Sequence, residues 1–124
     1  MEFINEVQLV CEQALIILKV NKLKFRAMNR KNHVNTKRGF VIGRTNLKTG
    51  LITIDIFTPK KRQPKKVSSI LRILCHEVAH HQKKPYRERF KGHIINRQHY
   101  PKFYKQVNRN ISILKKNVLF SKYF

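Results

Sequence analysis

The residues of this chain with the clearest capacity for chemistry stand in one short run, His76-Glu77-Val78-Ala79-His80. On a helix, two histidines four positions apart lie on one face about one turn from each other, so both imidazoles can reach one metal ion. The glutamate beside the first histidine is then placed to hold a water molecule on that ion and to accept its proton. The pattern therefore predicts a zinc site in which Glu77 is the general base.

The third protein ligand of such a site must come from elsewhere, and the scarcity of acidic residues restricts the choice. After Glu77 the chain has one carboxylate, Glu88, which is too close to His80 to stand on a separate following helix. The longer motif that continues with glycine and a third histidine is absent, because Lys83 and Tyr86 occupy those positions. The third ligand is therefore expected to be a histidine.

Three histidines outside the motif pair are candidates for this ligand: His81, His93 and His99. His81 points about 100° away from the preceding histidine around the helix axis. His99 directly precedes a predicted helix, where packing of Phe103 would hold it in place. We expect His99 to be the third ligand of one Zn²⁺ ion, with an open position for water, and His93 to be the alternative.

The composition is strongly basic, since the 124 residues include 28 Lys or Arg and six Asp or Glu, for a formal net charge of +22. Leu, Ile, Val and Phe are nevertheless frequent enough to predict a folded chain rather than a disordered one. We expect one domain, residues 1–124, that contacts DNA or RNA through its basic surface. The densest group of cations precedes the motif: Lys60, Lys61, Arg62, Lys65 and Lys66.

Hydrophobic periodicity places the motif in an α+β fold. Apolar residues at helical spacing predict a helix from about Glu2 to Lys19, a second from Val67 that fades before Pro85, and a third from near Pro101. The buried stripe of the third helix is expected to comprise Phe103, Tyr104, Val107, Ile111 and Leu114. Strands are expected at Leu23–Ala27, around Phe40-Val41-Ile42 and at Leu51–Phe57. Pro59–Lys66 is predicted to be a loop, and Tyr86–Gln98 an irregular stretch.

The last two predicted strands should form a hairpin through the turn Asn46–Gly50. In Leu51–Phe57, isoleucines alternate with Thr53 and Asp55, which is the period of a half-buried strand. Asp55 is therefore expected to be exposed or to support a site residue by a hydrogen bond, rather than to act in catalysis. If this strand lies at the sheet edge, it can pair with an extended substrate.

Other features concern the location of the protein. The longest apolar run, Ala14–Leu18, is far shorter than the roughly 20 residues that span a bilayer. The N-terminal residues lack the basic start and cleavage site of a signal peptide. The two cysteines, Cys11 and Cys75, form no disulfide framework. We expect an intracellular, cytoplasmic monomer, in which association with the nucleoid or with other nucleic acid is a further option.

A wider similarity extends beyond the motif. The strand 50–57, the helix 70–82 and the downstream His-x-Pro-x-Phe-aromatic run at His99–Tyr104 resemble the SprT-like zinc metallopeptidases. The similarity covers roughly residues 40 to 108, and its two anchors together are more specific than either alone.

This resemblance implies a minimal zincin-like domain: an N-terminal helix, a small antiparallel sheet of two to three strands, an active-site helix and a C-terminal helix. By the same resemblance His76, His80 and His99 match zinc ligands, and Glu77 matches the catalytic acid/base. The chain differs from the family pattern at Tyr104, where tryptophan is frequent, and it lacks the C-x-x-C pairs of the zinc ribbon that many members carry.

The activity expected on these grounds is hydrolysis of peptide bonds in a polypeptide substrate, including proteins associated with nucleic acid. Glu77 would take the proton of a zinc-activated water and pass it to the leaving amine. Residues that could help zinc to stabilise the oxyanion are Tyr86, His93, Tyr100 and His81. The alternative is a small basic nucleic-acid-binding protein whose motif is a relic or a structural metal site.

Overall fold

The computed structural model describes residues 2–28 and 42–124 of the chain. Within these ranges the helices are α1 (Phe3–Ile17), α2 (Val67–Gln82) and α3 (Pro101–Lys116), and a short 3-10 turn follows at Ser121–Tyr123. The strands are β1 (Lys24–Ala27), β2 (Gly43–Thr45), β3 (Leu51–Ile54), β4 (Tyr86–Phe90) and β5 (His93–Arg97). The expected α+β class, with helices near both ends of the chain, is confirmed.

The first three strands form one sheet in the order β1-β3-β2. β1 runs parallel to β3, with Lys24 opposite Leu51, whereas β2 runs antiparallel to β3, with Thr45 opposite Ile52. The sheet is therefore mixed, not antiparallel as predicted. β3 lies in its centre, so the condition under which this strand could pair with an extended substrate is not met; among the described strands, β2 and β1 form the edges of this sheet.

The predicted hairpin is present, and its turn has a clear local cause. The Asn46 side chain accepts hydrogen bonds from the backbone N–H groups of Lys48 and Thr49, and the N–H of Gly50 donates to the carbonyl of Asn46 at 2.8 Å. Gly50 has a φ of 79°, which favours glycine. Of the strand predicted around Phe40-Val41-Ile42, Phe40 and Val41 lie outside the described residues, and β2 begins at Gly43.

The predicted half-burial of the third strand is wrong. Thr53 is 4% exposed and Asp55 is 1% exposed, so both faces of this strand are covered. β3 also ends at Ile54, earlier than expected, because the chain turns at Asp55, whose carboxylate accepts a hydrogen bond from the N–H of Phe57 at 3.2 Å. The alternating pattern predicted the strand correctly, but it gave no sign that the face with Thr53 and Asp55 is also buried.

The core lies between α1, α2 and the first sheet. α1 contributes four buried residues to it, α2 packs its apolar stripe on them, and the isoleucines of β3 fill the space between: Val7, Cys11, Ala14, Leu15, Ile70, Leu71, Leu74, Cys75, Val78, Ile52 and Ile54. α3 packs on α2, where Phe103 and Leu114 are fully buried, and Leu114 belongs to the same core. Tyr104, predicted to be buried, is instead 50% exposed.

The stretch Tyr86–Gln98, predicted to be irregular, is mostly a β-hairpin. β4 and β5 pair antiparallel from Tyr86 opposite Arg97 to Phe90 opposite His93. The two-residue turn has positive φ at both positions, 50° at Lys91 and 81° at Gly92, as tight hairpin turns require. Its sequence shows no alternation of apolar and polar residues because neither face is packed into the core, and periodicity therefore gave no signal.

Candidate metal site

The helix α2 places the first two candidate ligands. Its apolar stripe is buried against α1 and β3, and His76 and His80 lie one turn apart beside that stripe, both partly buried. Their ring centroids are 5.1 Å apart. The packing of one side of the helix thus leaves the neighbouring side, with both imidazoles, facing a cleft.

His99 reaches the same place from a distant part of the chain. Its ring centroid lies 5.2 Å from that of His76 and 4.9 Å from that of His80. One nitrogen from each of the three rings can be chosen so that all lie within 4.8 Å of one another. The buried ring of Phe103 contacts all three imidazoles, at centroid distances of 5.0, 4.5 and 5.1 Å. Phe103 therefore supports the cluster from beneath.

The β4–β5 hairpin explains how His99 returns to α2. Because Tyr86 pairs with Arg97, the two ends of the hairpin emerge side by side, next to the end of α2. The Tyr100 hydroxyl donates a hydrogen bond to the carbonyl of Lys84 at 2.9 Å, which ties the outgoing and returning segments together. This hydrogen bond holds the two ends of the hairpin together at its base. His99 lies two residues beyond Arg97, the last paired residue of β5.

Glu77 lies beside this cluster and is 7% exposed. Burial raises the pKa of Glu77 to about 7. A carboxyl group with this pKa exchanges protons near neutral pH, which is the property required of a general base. Gly43 on β2 lies next to this side chain, and a Cβ added there would be 3.3 Å from the Glu77 Oε1 atom.

Two of the three histidines, His76 and His80, have lowered pKa values that favour the neutral, metal-binding form. Burial lowers the pKa of His76, and the nearby His99 lowers it further. Burial also lowers the pKa of His80 to about 4, with contributions from His76, His99 and His81. Neutral imidazoles keep a nitrogen lone pair free to coordinate a cation.

These residues fit a zinc ion. Three imidazole nitrogens are a donor set that suits zinc, and catalytic zinc sites use three protein ligands. Zn–N bonds of about 2.0–2.1 Å in a tetrahedron separate neighbouring nitrogens by roughly 3.4 Å. The observed spread of at most 4.8 Å is compact enough for His76, His80 and His99 to share one ion.

The cleft above the cluster has a volume of about 360 Å³. Its walls come from β2 and the following turn, from α2, and from the base of the β4–β5 hairpin: Gly43, Arg44, Thr45, Leu47, His76, Glu77, His80, Pro85, Gln98 and His99. The sequence reasoning missed Arg44 and Gln98, whose side chains carry N–H donors. No local pattern marks them, because they reach the cleft only through the pairing of β2 with β3 and of β4 with β5.

The other candidate side chains lie elsewhere. His81 projects from α2 in a different direction from His80, and its side chain forms a hydrogen bond with the Thr45 side chain. His93 is exposed at the tip of the hairpin, opposite Phe90. The Tyr100 hydroxyl is engaged by Lys84, and the Tyr86 ring contacts the Tyr100 ring at 5.0 Å. The described lining of the cleft therefore includes none of the four predicted oxyanion stabilisers, Tyr86, His93, Tyr100 and His81.

Two basic side chains of the loop before α2, Arg62 and Lys65, are engaged in hydrogen bonds to Asp55. The Arg62 guanidinium donates to both carboxylate oxygens of Asp55, at 2.8 and 3.0 Å, and the Lys65 ammonium donates to the Asp55 carbonyl at 2.7 Å. Burial by itself raises the pKa of Asp55, but the hydrogen bonds and charges of Arg62, Phe57 and Lys65 outweigh it, so the pKa is lowered overall. Of the five predicted nucleic-acid contacts, Lys60, Lys61 and Lys66 are exposed.

Comparisons with known proteins add no relative: no protein-family model, no curated protein and no solved structure gives a significant match to this chain. Among the described residues, no helix combines the length and the apolar character needed to cross a bilayer.

Proposed function

We propose that this chain is a zinc-dependent metallopeptidase of the SprT-like type, with Glu77 as its general base. The observation that carries the proposal is the convergence of three imidazoles from two distant segments beside a buried carboxyl group. His76 and His80 come from one helix, whereas His99 lies beyond an intervening hairpin, and their nitrogens still fall within 4.8 Å of one another. Local helix geometry explains the first pair but gives no reason for the third residue to join it.

In this mechanism the protein residues have separate roles. His76, His80 and His99 would hold the zinc ion, which when bound supplies a Lewis acid that makes water nucleophilic near neutral pH and polarises a carbonyl. Glu77 accepts the proton of the attacking water and returns it to the leaving amine, a role suited to its raised pKa.

The walls of the cleft would bind the peptide. Arg44 and Gln98 can donate hydrogen bonds to carbonyl oxygens of a substrate. β2 borders the cleft and is an edge among the described strands, so an extended polypeptide can add to the sheet there. β3 cannot bind a substrate strand in this way, because it is already paired with β1 on one edge and with β2 on the other.

Zinc content and peptidase activity, measured on the same preparation, test the proposal. The purified protein should contain about one zinc per chain and should hydrolyse unfolded polypeptides, with DNA both absent and present. Glu77→Gln should keep the zinc and lose activity by a factor of about 10² or more, since a general base contributes 10²–10⁴. A protein without stoichiometric zinc, or a Gln variant with full activity, would contradict the proposal.

A second candidate function is that of a nucleic-acid-binding protein with a structural metal. The net charge of +22 and the exposed Lys60, Lys61 and Lys66 favour it. Zinc bound without hydrolysis of any of several unfolded substrates would support this reading.

In either case we propose an intracellular location, which is supported by the buried free thiols of Cys11 and Cys75.

A further inference from the structure

The side chains of the β4–β5 hairpin are more exposed to solvent than the positioning of His99 alone would require. Every residue of β4 is exposed, and in β5 only Ile95 and Arg97 are partly buried. At the turn, nothing lies within 4 Å of a Cβ built on Gly92. A two-stranded ribbon with both faces uncovered has no core of its own to explain its composition, so the residues on each face are informative.

The pairing register assigns these residues to two faces, because opposite residues of antiparallel strands project to the same side. One face carries Glu88 and Phe90 of β4 together with Arg97 of β5. Its charges are satisfied internally: Arg97 Nε donates to Glu88 Oε2 at 2.8 Å, and the Arg97 guanidinium lies 5.5 Å from the Phe90 ring centroid. The charges of Glu88 and Arg97 on this face are therefore already paired within the hairpin.

The other face carries Arg87 opposite Asn96 and Arg89 opposite Ile94. Ile94 is 68% exposed. The structure gives neither arginine an ion-pair partner among the described residues. The sequence offers none nearby, since Glu88 is the only acid after Glu77 and it is paired on the opposite face. This face thus combines two arginines, an amide and one apolar side chain, without a compensating negative charge.

We propose that this second face of the hairpin binds double-stranded DNA in the major groove. A groove about 12 Å wide admits a two-stranded β-ribbon, whose strands are about 4.8 Å apart. Arg87 and Arg89 are suited to guanine edges or phosphates, Asn96 to adenine, and Ile94 to a thymine methyl group. The A-form major groove is too narrow for such a ribbon, so duplex RNA is the poorer ligand.

The hairpin is a better candidate for this contact than the loop before α2. Arg62 and Lys65 of the loop bind Asp55, which leaves lysines that offer point charges rather than bidentate donors. The hairpin arginines are exposed on paired strands, where their spacing is set by the register. The inference does not depend on the peptidase proposal, because it concerns a surface that His76, His80 and Glu77 do not share.

Fluorescence anisotropy of a labelled DNA duplex, with the full chain, tests the proposal. Arg87→Gln/Arg89→Gln should weaken binding at least tenfold, and should lower the slope of log K against log salt by about 2. The matched control, Lys60→Gln/Lys61→Gln, removes the same charge and should weaken binding by less than about threefold. Arg87→Lys/Arg89→Lys keeps the charge and should restore most of the non-specific affinity.

Several outcomes would overturn the inference. Equal losses for the hairpin and loop variants would show that only net charge matters, and a larger loss for the loop variant would move the contact there. Hairpin-dependent binding to duplex RNA, single-stranded DNA or anionic vesicles, with affinity equal to or greater than that for duplex DNA, would exclude major-groove recognition. Thermal unfolding of each variant checks that the fold is intact. If the double Gln variant unfolds, the single variants Arg87→Gln and Arg89→Gln carry the same test, and each should weaken binding more than Lys60→Gln does.

Discussion

The backbone of Gly43 lies directly against the side chain of Glu77. A Cβ built on Gly43 would stand 3.3 Å from Glu77 Oε1 and 2.9 Å from the Ile73 Cγ2 atom. The edge strand β2 therefore leaves room for the proposed general base through the absence of a side chain. No positive φ is involved at this glycine, so the requirement is for space rather than for an unusual backbone conformation.

Gly43→Ala should displace the Glu77 carboxylate and lower peptidase activity by about tenfold or more, because small misplacements of a catalytic group have large effects on rate. Zinc content should be unchanged, since the three atoms nearest to the new methyl group belong to Ile73 and Glu77 and not to a histidine. Activity and zinc content measured on the same sample check this. A variant with normal activity would mean that Ile73 alone moves aside and that Glu77 keeps its position.

His99→Ala should weaken zinc binding at least about 100-fold, since changes even to groups that only support the ligands alter metal affinity 10–100-fold. His93→Ala is the matched control: it removes an imidazole from the same segment, but from the tip of the hairpin, and should leave zinc affinity unchanged. Competition with a chromophoric zinc chelator gives both values. Greater loss in the His93 variant would reverse the ligand assignment.

Arg62→Ala should lower the free energy of unfolding at neutral pH by about 3 kcal/mol, because it leaves the carboxylate of Asp55 buried without its guanidinium partner. The folded-state pKa of Asp55 lies below its ordinary value, so this ion pair contributes fully above the unfolded-state pKa of about 4. The contribution is lost as the pH falls through the folded-state pKa.

The difference in stability between the wild type and Arg62→Ala should consequently shrink in acid. Urea unfolding at about pH 7 and about pH 3 measures it. Lys61→Ala, at the neighbouring exposed position, serves as the control and should change stability by less than about 0.5 kcal/mol. A constant difference at both pH values would show that Arg62 acts through packing rather than through the charge of Asp55.

Asn110 should be needed for the position of α3 on α2. It is 1% exposed, and its amide nitrogen donates to the Cys75 carbonyl at 3.2 Å and to Gln82 Oε1 at 2.8 Å, while its oxygen accepts from Gln106 at 3.0 Å. Asn110→Ala should destabilise the protein by about 1–3 kcal/mol, because it leaves buried polar groups unsatisfied.

The exposed Asn108, on the same helix, provides the control for this substitution. Asn108→Ala should be nearly neutral, and denaturant unfolding of the two variants makes the comparison. If Asn110→Ala were equally neutral, the buried amide would not contribute to the stability of the helix pair.

The helices were predictable because their signals are local. The apolar spacing along α1 and α2 follows the helical repeat, and the same repeat places His76 and His80 on one face without reference to any other part of the chain. The β2–β3 hairpin was predictable from its turn and from the alternating isoleucines. The β4–β5 hairpin was not, because both of its faces are exposed and neither carries a hydrophobic repeat.

The site itself required contacts between distant segments. Elimination of acidic residues pointed to a histidine as third ligand, but only the hairpin pairing and the packing of Phe103 bring the His99 ring beside the other two. Arg44, Gln98 and Gly43 reach the cleft through strand pairing, which no short motif encodes. Asp55 was expected to be exposed or to support a site residue by a hydrogen bond, because alternation reports one buried face and cannot show what covers the other.

The sequence by itself determined the helix that carries the motif, the charge of the surface and the type of residue that could complete a zinc site. The tertiary structure decided which histidine lies with the pair, that Gly43 makes room for Glu77, and that Arg62 binds Asp55. The physical reason is range. Helical periodicity and turn chemistry act over a few residues, whereas burial, close packing and the pKa values that follow from them depend on segments brought together by the fold.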